Sequence, residues 1–186
     1  MMRQTPFSTS LPSFAAMRLD HCCVTIYFIA SGQDVIHATF LKKSHNHAVT
    51  WLKNNCPGNK IILEYQKKHP FQQEFKEFIT GLRTDFSRPS SSPFLDKGTE
   101  FQKKVWDLIS SIPFSETRTY GDLAVKLGSS GYSRAVGQAC NKNPLPLIIP
   151  CHRVIGSSGF GGFAGGISIK KRLLKIEQKM ITASLL

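Results

Sequence analysis

The chain is 186 residues long, with 41% hydrophobic and 19% charged residues, a composition typical of a globular protein and not of a disordered one. It contains no apolar run of the roughly 18 residues that a membrane span requires, and its first residues lack the apolar core of a signal peptide. The 24 Lys and Arg residues against 12 Asp and Glu give a net charge of +12, which favours a polyanionic partner, nucleic acid first.

The first half of the chain predicts a small α/β domain without a catalytic pattern. Residues 1–18 are expected to be a loosely attached leader. Runs of β-branched and aromatic residues predict three strands, and apolar residues spaced three and four positions apart predict helices. The strands are expected over residues 22–30, 35–41 and 60–65, and the helices over residues 45–55 and 71–82.

Five cysteines occur at positions that fit no disulfide framework: Cys22, Cys23, Cys56, Cys140 and Cys151. A zinc site that combines the N-terminal cysteines with His21, His45 or His47 stays open as an alternative. The spacing of these residues follows no pattern of known zinc sites, so we expect no metal site.

A segment rich in serine and proline, residues 87–93, is the clearest linker in the chain. We expect it to separate an N-terminal α/β domain, residues 1–92, from a mostly α-helical C-terminal domain, residues 93–186. The excess of basic residues is spread over both halves, so neither half is simply a charged tail.

The C-terminal half carries clear helix-start signals. Thr99 to Gln102 and Thr119 to Asp122 both have the spacing of a capping box, in which the first and fourth residues satisfy each other's backbone amides. Gly128 to Gly131 predicts a turn into another helix, about Tyr132 to Asn141. Two short helices joined by a glycine-containing turn indicate a helix-turn-helix.

A last helix is predicted over Ile167 to Met180. Three of its residues are expected to be buried: Leu173, Leu174 and Ile176. Five basic residues are expected to face solvent: Lys170, Lys171, Arg172, Lys175 and Lys179.

The stretch from Asn143 to Ile155 combines rigid backbone with reactive side chains. The apolar run Leu147 to Ile149 predicts a buried extended segment, closed at both ends by prolines that favour extended geometry. A thiol and an imidazole, Cys151 and His152, follow directly. A structural cysteine does not need to be aimed in this way, so Cys151 is a candidate nucleophile.

Taken together, these residues make the second half of the chain resemble the O6-alkylguanine-DNA alkyltransferases, also called methylated-DNA–protein-cysteine methyltransferases. The similarity runs from about Gly98 to Glu177, and its most specific segment is the Pro-Cys-His-Arg-Val sequence at residues 150–154. The first half resembles the family only in size and in strand and helix content. The matching segments are Gly98-Thr99-x-Phe101-Gln102-x-x-Val105-Trp106, Thr119 to Ala124, Ser133 to Gly137, Asn143-Pro144, Ile149 to Ile155, and Gly165-Gly166 followed by Leu173-Leu174-x-x-Glu177.

The resemblance implies a stoichiometric and irreversible reaction without a cofactor. Cys151 would accept the alkyl group of O6-alkylguanine, or of O4-alkylthymine, once per molecule. His152 would act as the base, through a water, with Glu177 holding the imidazole. Asn143 would stabilise the turn beside the thiol, and Tyr120 would donate to the leaving guanine.

The resemblance also implies that double-stranded DNA is bound through its minor groove and that the target nucleotide is flipped out of the stack. Arg134 would fill the vacated place. Small residues at 133, 135 and 137 would let the second helix of the helix-turn-helix lie close to DNA. The expected DNA-binding residues are Tyr120, Ser133, Arg134, Ala135, Gly137 and Ser157.

A base pocket is expected beside the loop from Ser157 to Gly166. Its expected lining residues are Pro146, Val154, Phe163 and Ala164. Phe163 stands where the family usually has tyrosine, and Ala164 where serine is also found. These departures put the hydroxyl contact and the range of alkyl groups in question, but not the reaction.

Three other functions stay open. The chain could be a non-catalytic sensor or regulator that binds alkylated DNA, a cysteine hydrolase using Cys151 and His152, or a zinc-dependent interaction module. The presence of an acceptor cysteine favours the transferase over the sensor. We expect a monomer in solution, with cooperative binding on DNA left open, that works in the cytoplasm or nucleus without a membrane partner.

Overall fold

The computed structural model describes residues 14–21, 24–31, 34–40, 61–63, 69–87 and 92–184. Four described strands form one sheet: β1 (Phe14–His21), β2 (Val24–Ser31), β3 (Asp34–Phe40) and β4 (Ile61–Leu63). Their order is β3-β2-β1-β4, with β1–β2 and β2–β3 antiparallel and β1–β4 parallel.

Strand β1 overturns part of the predicted leader. Residues 15–18 pair with β2 and Phe14 pairs with Ile61 of β4, so the expectation of a loose leader over residues 1–18 is wrong for residues 14–18, and the sheet gains a fourth strand. Two alanines and an arginine give this segment little strand propensity, so the strand is stabilised mainly by its pairing with β2. The other three strands are confirmed with shifted ends, while the helix expected over 45–55 lies outside the described residues.

Helix α1 (Pro70–Thr80) confirms the helix expected over residues 71–82. It begins with a capping box between His69 and Gln72, and it ends at Gly81, whose φ of 86° suits glycine. The Phe71 ring lies 5.0 Å from that of Phe28 in β2, which packs the helix on the sheet. The buried residues of α1 are Phe71, Phe75, Phe78 and Ile79.

The predicted linker leads directly into a helix. Residues 88–91 of the segment 87–93 lie outside the described residues, but Ser92 is buried and Pro93 already begins the short helix α2 (Pro93–Asp96). Helix α3 (Glu100–Ser110) then starts at the predicted capping box, with Thr99 Oγ1 3.2 Å from the amide nitrogen of Gln102.

A short parallel ladder positions the two halves of the candidate site. Strand β5 (Arg118–Thr119) pairs with β6 (Val154–Ile155), which follows a single 3₁₀ turn, Cys151–Arg153. Helix α4 (Tyr120–Lys126) begins directly after β5, at the confirmed Thr119 capping box. The ladder therefore holds the start of α4 beside the residues that follow Cys151.

The remaining helices pack around this ladder. A 3₁₀ turn, Ser130–Tyr132, connects α4 to α5 (Ser133–Asn141), and the two helices contact each other. Helix α3 packs on α5, where Trp106 Nε1 donates a 2.9 Å hydrogen bond to the Ala139 carbonyl. The last helix, α6 (Ile167–Ser184), extends past the predicted end at residue 180.

The segment before Cys151 is buried as predicted, but it is not extended. Leu147 has a φ of 79°, and residues 147–148 form a turn between the bridged residues Pro146 and Ile149. The side chain of Asn143 stabilises this turn, because its Nδ2 donates to the Ile149 carbonyl at 2.8 Å and its Oδ1 accepts from the Leu145 amide at 2.9 Å. Side-chain hydrogen bonds to nearby backbone thus override the extended preference that the prolines suggest.

Within the described residues, no helix is both long enough and apolar enough to cross a membrane.

Candidate active site

Cys151 lies at the wall of a small cavity. Its side chain is buried, with 7% of the residue exposed, at the start of the 3₁₀ turn. The cavity measures about 190 Å³. Its lining residues come from α4, α5, the 3₁₀ turn and the loop before α6: Tyr120, Gly137, Gln138, Cys140, Asn141, Cys151, Gly162, Phe163 and Ala164.

The thiol of Cys151 is poorly ionised on its own. Burial raises its pKa above the ordinary value, while a hydrogen bond with Asn143 and the positive charge of Lys170 act in the opposite direction without cancelling the effect of burial. A nucleophilic thiol must lose its proton, so this cysteine requires a nearby base.

The side chain of His152 has the geometry of such a base. Its Nε2 lies 2.7 Å from Glu177 Oε1, and both side chains are almost completely buried. Burial lowers the pKa of His152, against the influence of Glu177, so the imidazole is neutral near pH 7. We assign the ring proton to Nε2, which faces the carboxylate, and this leaves Nδ1 as an acceptor. His152 Nδ1 is buried and has no hydrogen-bond partner among the described residues.

Glu177 is held as a carboxylate by several donors. Its Oε2 accepts from the Ser115 amide at 2.9 Å, and Arg153 Nε lies 3.1 Å from each oxygen. Burial by itself would raise the pKa of Glu177, but hydrogen bonds and charges from His152 and Arg153 lower it below the ordinary value. The negative charge that fixes the imidazole is therefore present at neutral pH.

Arg153 is buried, and its guanidinium makes several hydrogen bonds. The sequence analysis assigned this residue no role. Besides Glu177, its Nη1 donates to the Ile112 carbonyl at 2.9 Å, and its guanidinium lies 5.5 Å from the centre of the Phe114 ring. Its position directly after the Cys-His pair was the available signal. A charge at that place in a buried turn needs a counter-ion, and Glu177 supplies it.

Lys170 corrects a further prediction. It was expected to face solvent, but it is 0% exposed, and its Nζ donates to the carbonyls of Val154 and Gly162. Burial lowers its pKa. The signal was in the spacing, because residues 170, 173, 174 and 177 share one face of α6, and the other three are buried.

Tyr120 is packed between two backbone segments at the cavity. A Cβ placed on Gly137 of α5 would lie 3.9 Å from Cδ1 and Cε1 of the ring, and one on Gly161 would lie 2.6 Å from Cε2, on the other edge. The Tyr120 hydroxyl donates to the Gly162 carbonyl at 3.2 Å. Burial raises the pKa of Tyr120 to about 12, so it stays protonated and able to donate.

The five residues predicted to be catalytic all lie in this region. Cys151 and Tyr120 line the cavity, His152 follows Cys151 in the same 3₁₀ turn and pairs with Glu177, and Asn143 stabilises the preceding turn. Phe163 and Ala164, predicted for the pocket, line the cavity. The other two predicted pocket residues are buried and are not among the lining residues: Pro146 and Val154.

The predicted DNA-binding residues differ in their exposure to solvent. Arg134, Ala135 and Ser157 are exposed, whereas Ser133 and Gly137 are partly buried. Gly137 also lines the cavity, together with Tyr120.

A second thiol, Cys140, shares the cavity with Cys151, and burial raises its pKa as well. The zinc alternative rests mainly on Cys22, Cys23 and Cys56, which lie outside the described residues. Within the described part of the chain, no group of three or more His, Cys, Asp or Glu side chains is arranged to hold a metal ion.

Comparisons with known proteins point to one family. Residues 100–179 match the family model described as 6-O-methylguanine DNA methyltransferase, DNA binding domain. The methylated-DNA–protein-cysteine methyltransferase of Methanosarcina barkeri is 54% identical over 108 residues, which cover 56% of this chain and 68% of that protein. The enzyme of the same name from Methanosarcina acetivorans is 55% identical over 82 residues, covering 44% and 53%. The matched region thus spans about half to two thirds of the length of these curated relatives.

The similarity to solved structures covers more of the chain. The O6-methylguanine methyltransferase of Mycobacterium tuberculosis has a TM-score of 0.72 and 28% sequence identity, over 90% of this chain and 94% of that one. The structure of Mycobacterium tuberculosis OGT in complex with DNA has a TM-score of 0.71 and 29% identity, over 89% and 94%. The overall fold of this chain is therefore similar to the folds of these two structures.

Proposed function

The chain belongs to the methylated-DNA–protein-cysteine methyltransferase family, and on that basis we propose that it repairs DNA by moving an alkyl group from guanine O6 to Cys151. The observation that carries the proposal is the position of Cys151: at the wall of a cavity, and next in the same 3₁₀ turn to His152, which forms a buried pair with Glu177. A thiol that serves only for packing does not need either feature.

The thiol is activated by the buried pair. His152 Nδ1 takes the proton of Cys151, through a water, while Nε2–H remains bonded to Glu177. The carboxylate stabilises the imidazolium that forms, as the acidic member of a catalytic triad does. Arg153 and the Ser115 amide keep Glu177 in place and charged during this transfer.

The thiolate then displaces the base from the alkyl carbon. A sulfur–carbon bond forms as the carbon–oxygen bond breaks, and the electron pair of that bond moves onto the guanine ring. The Tyr120 hydroxyl stays protonated because its pKa is about 12, and it would exchange its hydrogen bond to the Gly162 carbonyl for one to the leaving base, to which it donates a hydrogen bond or proton. O4-alkylthymine would react in the same way, and no cofactor takes part.

The product limits the protein to one reaction. A thioether, unlike an acyl-enzyme, is not hydrolysed by an activated water, so each molecule accepts one alkyl group. The cavity of about 190 Å³ suits small adducts, and Phe163 contributes no hydroxyl group to its lining.

DNA would be bound by α4 and α5 acting as a helix-turn-helix. Arg134 and Ala135 are exposed on α5, and the cavity opens beside this helix at Gly137. We propose that α5 lies in the minor groove, that the alkylated nucleotide is flipped into the cavity, and that Arg134 fills the vacated place. The net charge of +12 supports phosphate binding that is independent of sequence.

The residues with proposed chemical roles are unevenly distributed between the two predicted domains. Every residue given a chemical role lies in the predicted domain 93–186. The predicted domain 1–92 contacts the site through Thr84, whose carbonyl accepts from Arg153 at 3.5 Å. We propose that the C-terminal domain carries out the reaction as a monomer.

The test is the mass of the protein after reaction with a duplex that contains one O6-methylguanine. We expect one methyl group per molecule, on the peptide that contains Cys151, without further addition in excess DNA. Cys140→Ser is the matched control, because Cys140 lies in the same cavity, and it should still accept the methyl group. Cys151→Ser should not.

A sensor that binds alkylated DNA without reacting is the second candidate. Its basis is that the exposed face of α5 and the cavity would recognise the base without any chemistry at Cys151. An unchanged mass together with preferential binding to the alkylated duplex would establish the sensor and refute the transferase. A methyl group found on Cys140 would refute the assignment of the acceptor.

A further inference from the structure

The loop before α6 presents an aromatic side chain next to the cavity. Gly156 and Gly159 close a tight turn, with the Gly156 amide 2.8 Å from the Gly159 carbonyl. Two residues later, Gly161 has a φ of 66° and lies so close to Tyr120 that an added Cβ would be 2.6 Å from the ring. The backbone is thus fixed against Tyr120, and Phe160 lies directly before this contact.

Phe160 is exposed rather than packed. It is 41% exposed, and it is absent from the described hydrophobic residues that pack on the core. The Nζ of Lys171 lies 4.9 Å from the centre of its ring. Lys171 is exposed in α6, so the ring has an accessible positive charge beside it.

The two walls of the cavity lie on opposite edges of Tyr120. Gly137 of α5 faces Cδ1 and Cε1 of the ring, whereas Gly161 faces Cε2. The proposed DNA-binding helix thus lies on one edge, and the Phe160 loop lies on the other. A DNA strand with a nucleotide in the cavity would continue past both walls, because its flanking nucleotides cannot enter.

We propose that Phe160 and Lys171 form a second DNA contact, on the loop side of the cavity. Phe160 stacks on an unpaired or exposed base of the strand that carries the target nucleotide, and Lys171 binds an adjacent phosphate. An aromatic ring suits this position because every base has a face on which it can stack, which makes the contact independent of sequence. The inference rests on the proposed function, since it places the target nucleotide in the cavity.

The chemistry of the pair matches DNA better than other partners. An exposed aromatic ring beside the positive charge of Lys171 attracts an anion with flat apolar groups, which describes a nucleic acid strand. Phe160 and Lys171 could instead serve only to hold the loop in place. Experiment can separate this structural role, because it would change the shape of the cavity and hence the transfer rate, not the affinity for DNA.

The experiment measures two quantities on the full chain: the affinity for a duplex with one O6-methylguanine, and the rate of methyl transfer at saturating duplex. Phe160→Ala is expected to weaken affinity by roughly 5- to 100-fold, the range for loss of one base–aromatic stack. The loss should fall on affinity far more than on the saturated rate. Phe160→Trp should restore the affinity.

Lys171→Ala tests the phosphate contact. We expect the slope of log affinity against log salt to decrease by about one, together with weaker binding at low salt. Lys97→Ala is the matched control, because Lys97 is also exposed and lies 5.5 Å from a phenylalanine ring, that of Phe94, away from the cavity. Leu82→Ala, at a residue that is 80% exposed, is the control for loss of an exposed apolar side chain.

Two results would overturn the inference. Unchanged affinity in Phe160→Ala would remove the stacking contact, and a reduced saturated rate with normal affinity would assign Phe160 to the shape of the cavity. Failure of the proposed function gives a different result: the wild-type chain would transfer no methyl group, while Phe160→Ala would still weaken binding to DNA.

Discussion

The Nε atom of Arg153 lies 3.1 Å from both carboxylate oxygens of Glu177. This contact couples two functions of one carboxylate, since Glu177 also accepts from His152 at 2.7 Å. The charge that neutralises a buried arginine is thus the same charge that orients the base. A change at Glu177 therefore alters both folding and reaction, and the two effects can be measured apart.

Glu177→Gln is expected to lower the free energy of unfolding by about 3–5 kcal/mol, because it leaves Arg153 buried without its counter-ion. The lowered pKa of Glu177 means that its contribution is present above pH 4.5 and is lost as the pH falls through the folded-state value. Chemical denaturation between pH 3 and 7 should show that the difference in free energy of unfolding between wild type and Glu177→Gln becomes smaller as the pH falls. A difference in free energy of unfolding that is constant over this pH range would contradict the conclusion that Glu177 stabilises the fold as a carboxylate.

His152→Ala is expected to slow methyl transfer at pH 7 by about 10²- to 10⁴-fold, the usual contribution of a general base. In wild type the rate should be level above pH 6.5, because burial lowers the pKa of His152 below that value and keeps the imidazole neutral. In the variant the rate should rise with pH up to the raised pKa of Cys151, since solvent must take the proton. The measurement is the single-turnover rate of wild type and of His152→Ala across pH 6 to 9. The same pH dependence in both proteins would exclude His152 as the base.

Lys170→Met should slow transfer by about tenfold, the effect of losing roughly 1.4 kcal/mol of charge interaction. The substitution removes a positive charge that favours the Cys151 thiolate and two hydrogen bonds that hold the loop. Lys179→Met, at an exposed lysine of the same helix, is the control and should react like wild type. Titration of Cys151 with a thiol reagent should show a higher pKa in Lys170→Met, and an unchanged pKa would limit Lys170 to a structural role.

Tyr120→Phe removes only a hydroxyl and should leave the fold intact, because the ring contacts remain. We expect a saturated transfer rate about tenfold lower, with little change in affinity for DNA, because the donor acts on the leaving base. The rate of wild type should show no break between pH 8 and 10, since the pKa of Tyr120 is about 12. A loss confined to affinity would assign the hydroxyl to binding.

Gly161→Ala should disturb the cavity, whereas Gly159→Ala should not. A Cβ at Gly161 would meet the Tyr120 ring at 2.6 Å, at a backbone φ of 66° that side chains rarely adopt, while a Cβ at Gly159 would have no atom within 4 Å. The first variant is expected to lose about 1–3 kcal/mol of stability and much of its activity. Equal melting temperatures and rates for both variants would contradict the close approach of loop and ring.

Local signals allowed much of the C-terminal fold to be predicted. The capping boxes at Thr99 and Thr119 depend on four neighbouring residues, so they are readable from sequence and are present in the structure. The residues of the candidate site were predicted from the motif around Cys151 and, for Glu177, from a family resemblance. The structure places Cys151 and His152 in one 3₁₀ turn and pairs His152 with Glu177.

The wrong predictions concern contacts that residue type and spacing do not reveal. Strand β1 has weak propensity and is made by pairing with β2. The turn at Leu147 depends on side-chain hydrogen bonds of Asn143, which the prolines around it do not reveal. Lys170 was assigned to solvent by its residue type, although its carbonyl partners, Val154 and Gly162, come from other segments that converge only in the fold.

Because Trp106 donates a hydrogen bond to the Ala139 carbonyl, its intrinsic fluorescence can report on the contact between α3 and α5. The indole is almost fully buried and bridges α3 to α5, close to Cys140 at the cavity. Its fluorescence should be blue-shifted in the native state and should move to the red if α5 separates from α3. With Trp51, the other tryptophan, replaced by phenylalanine, the emission of one side chain would report whether the proposed DNA-binding helix shifts as DNA is engaged.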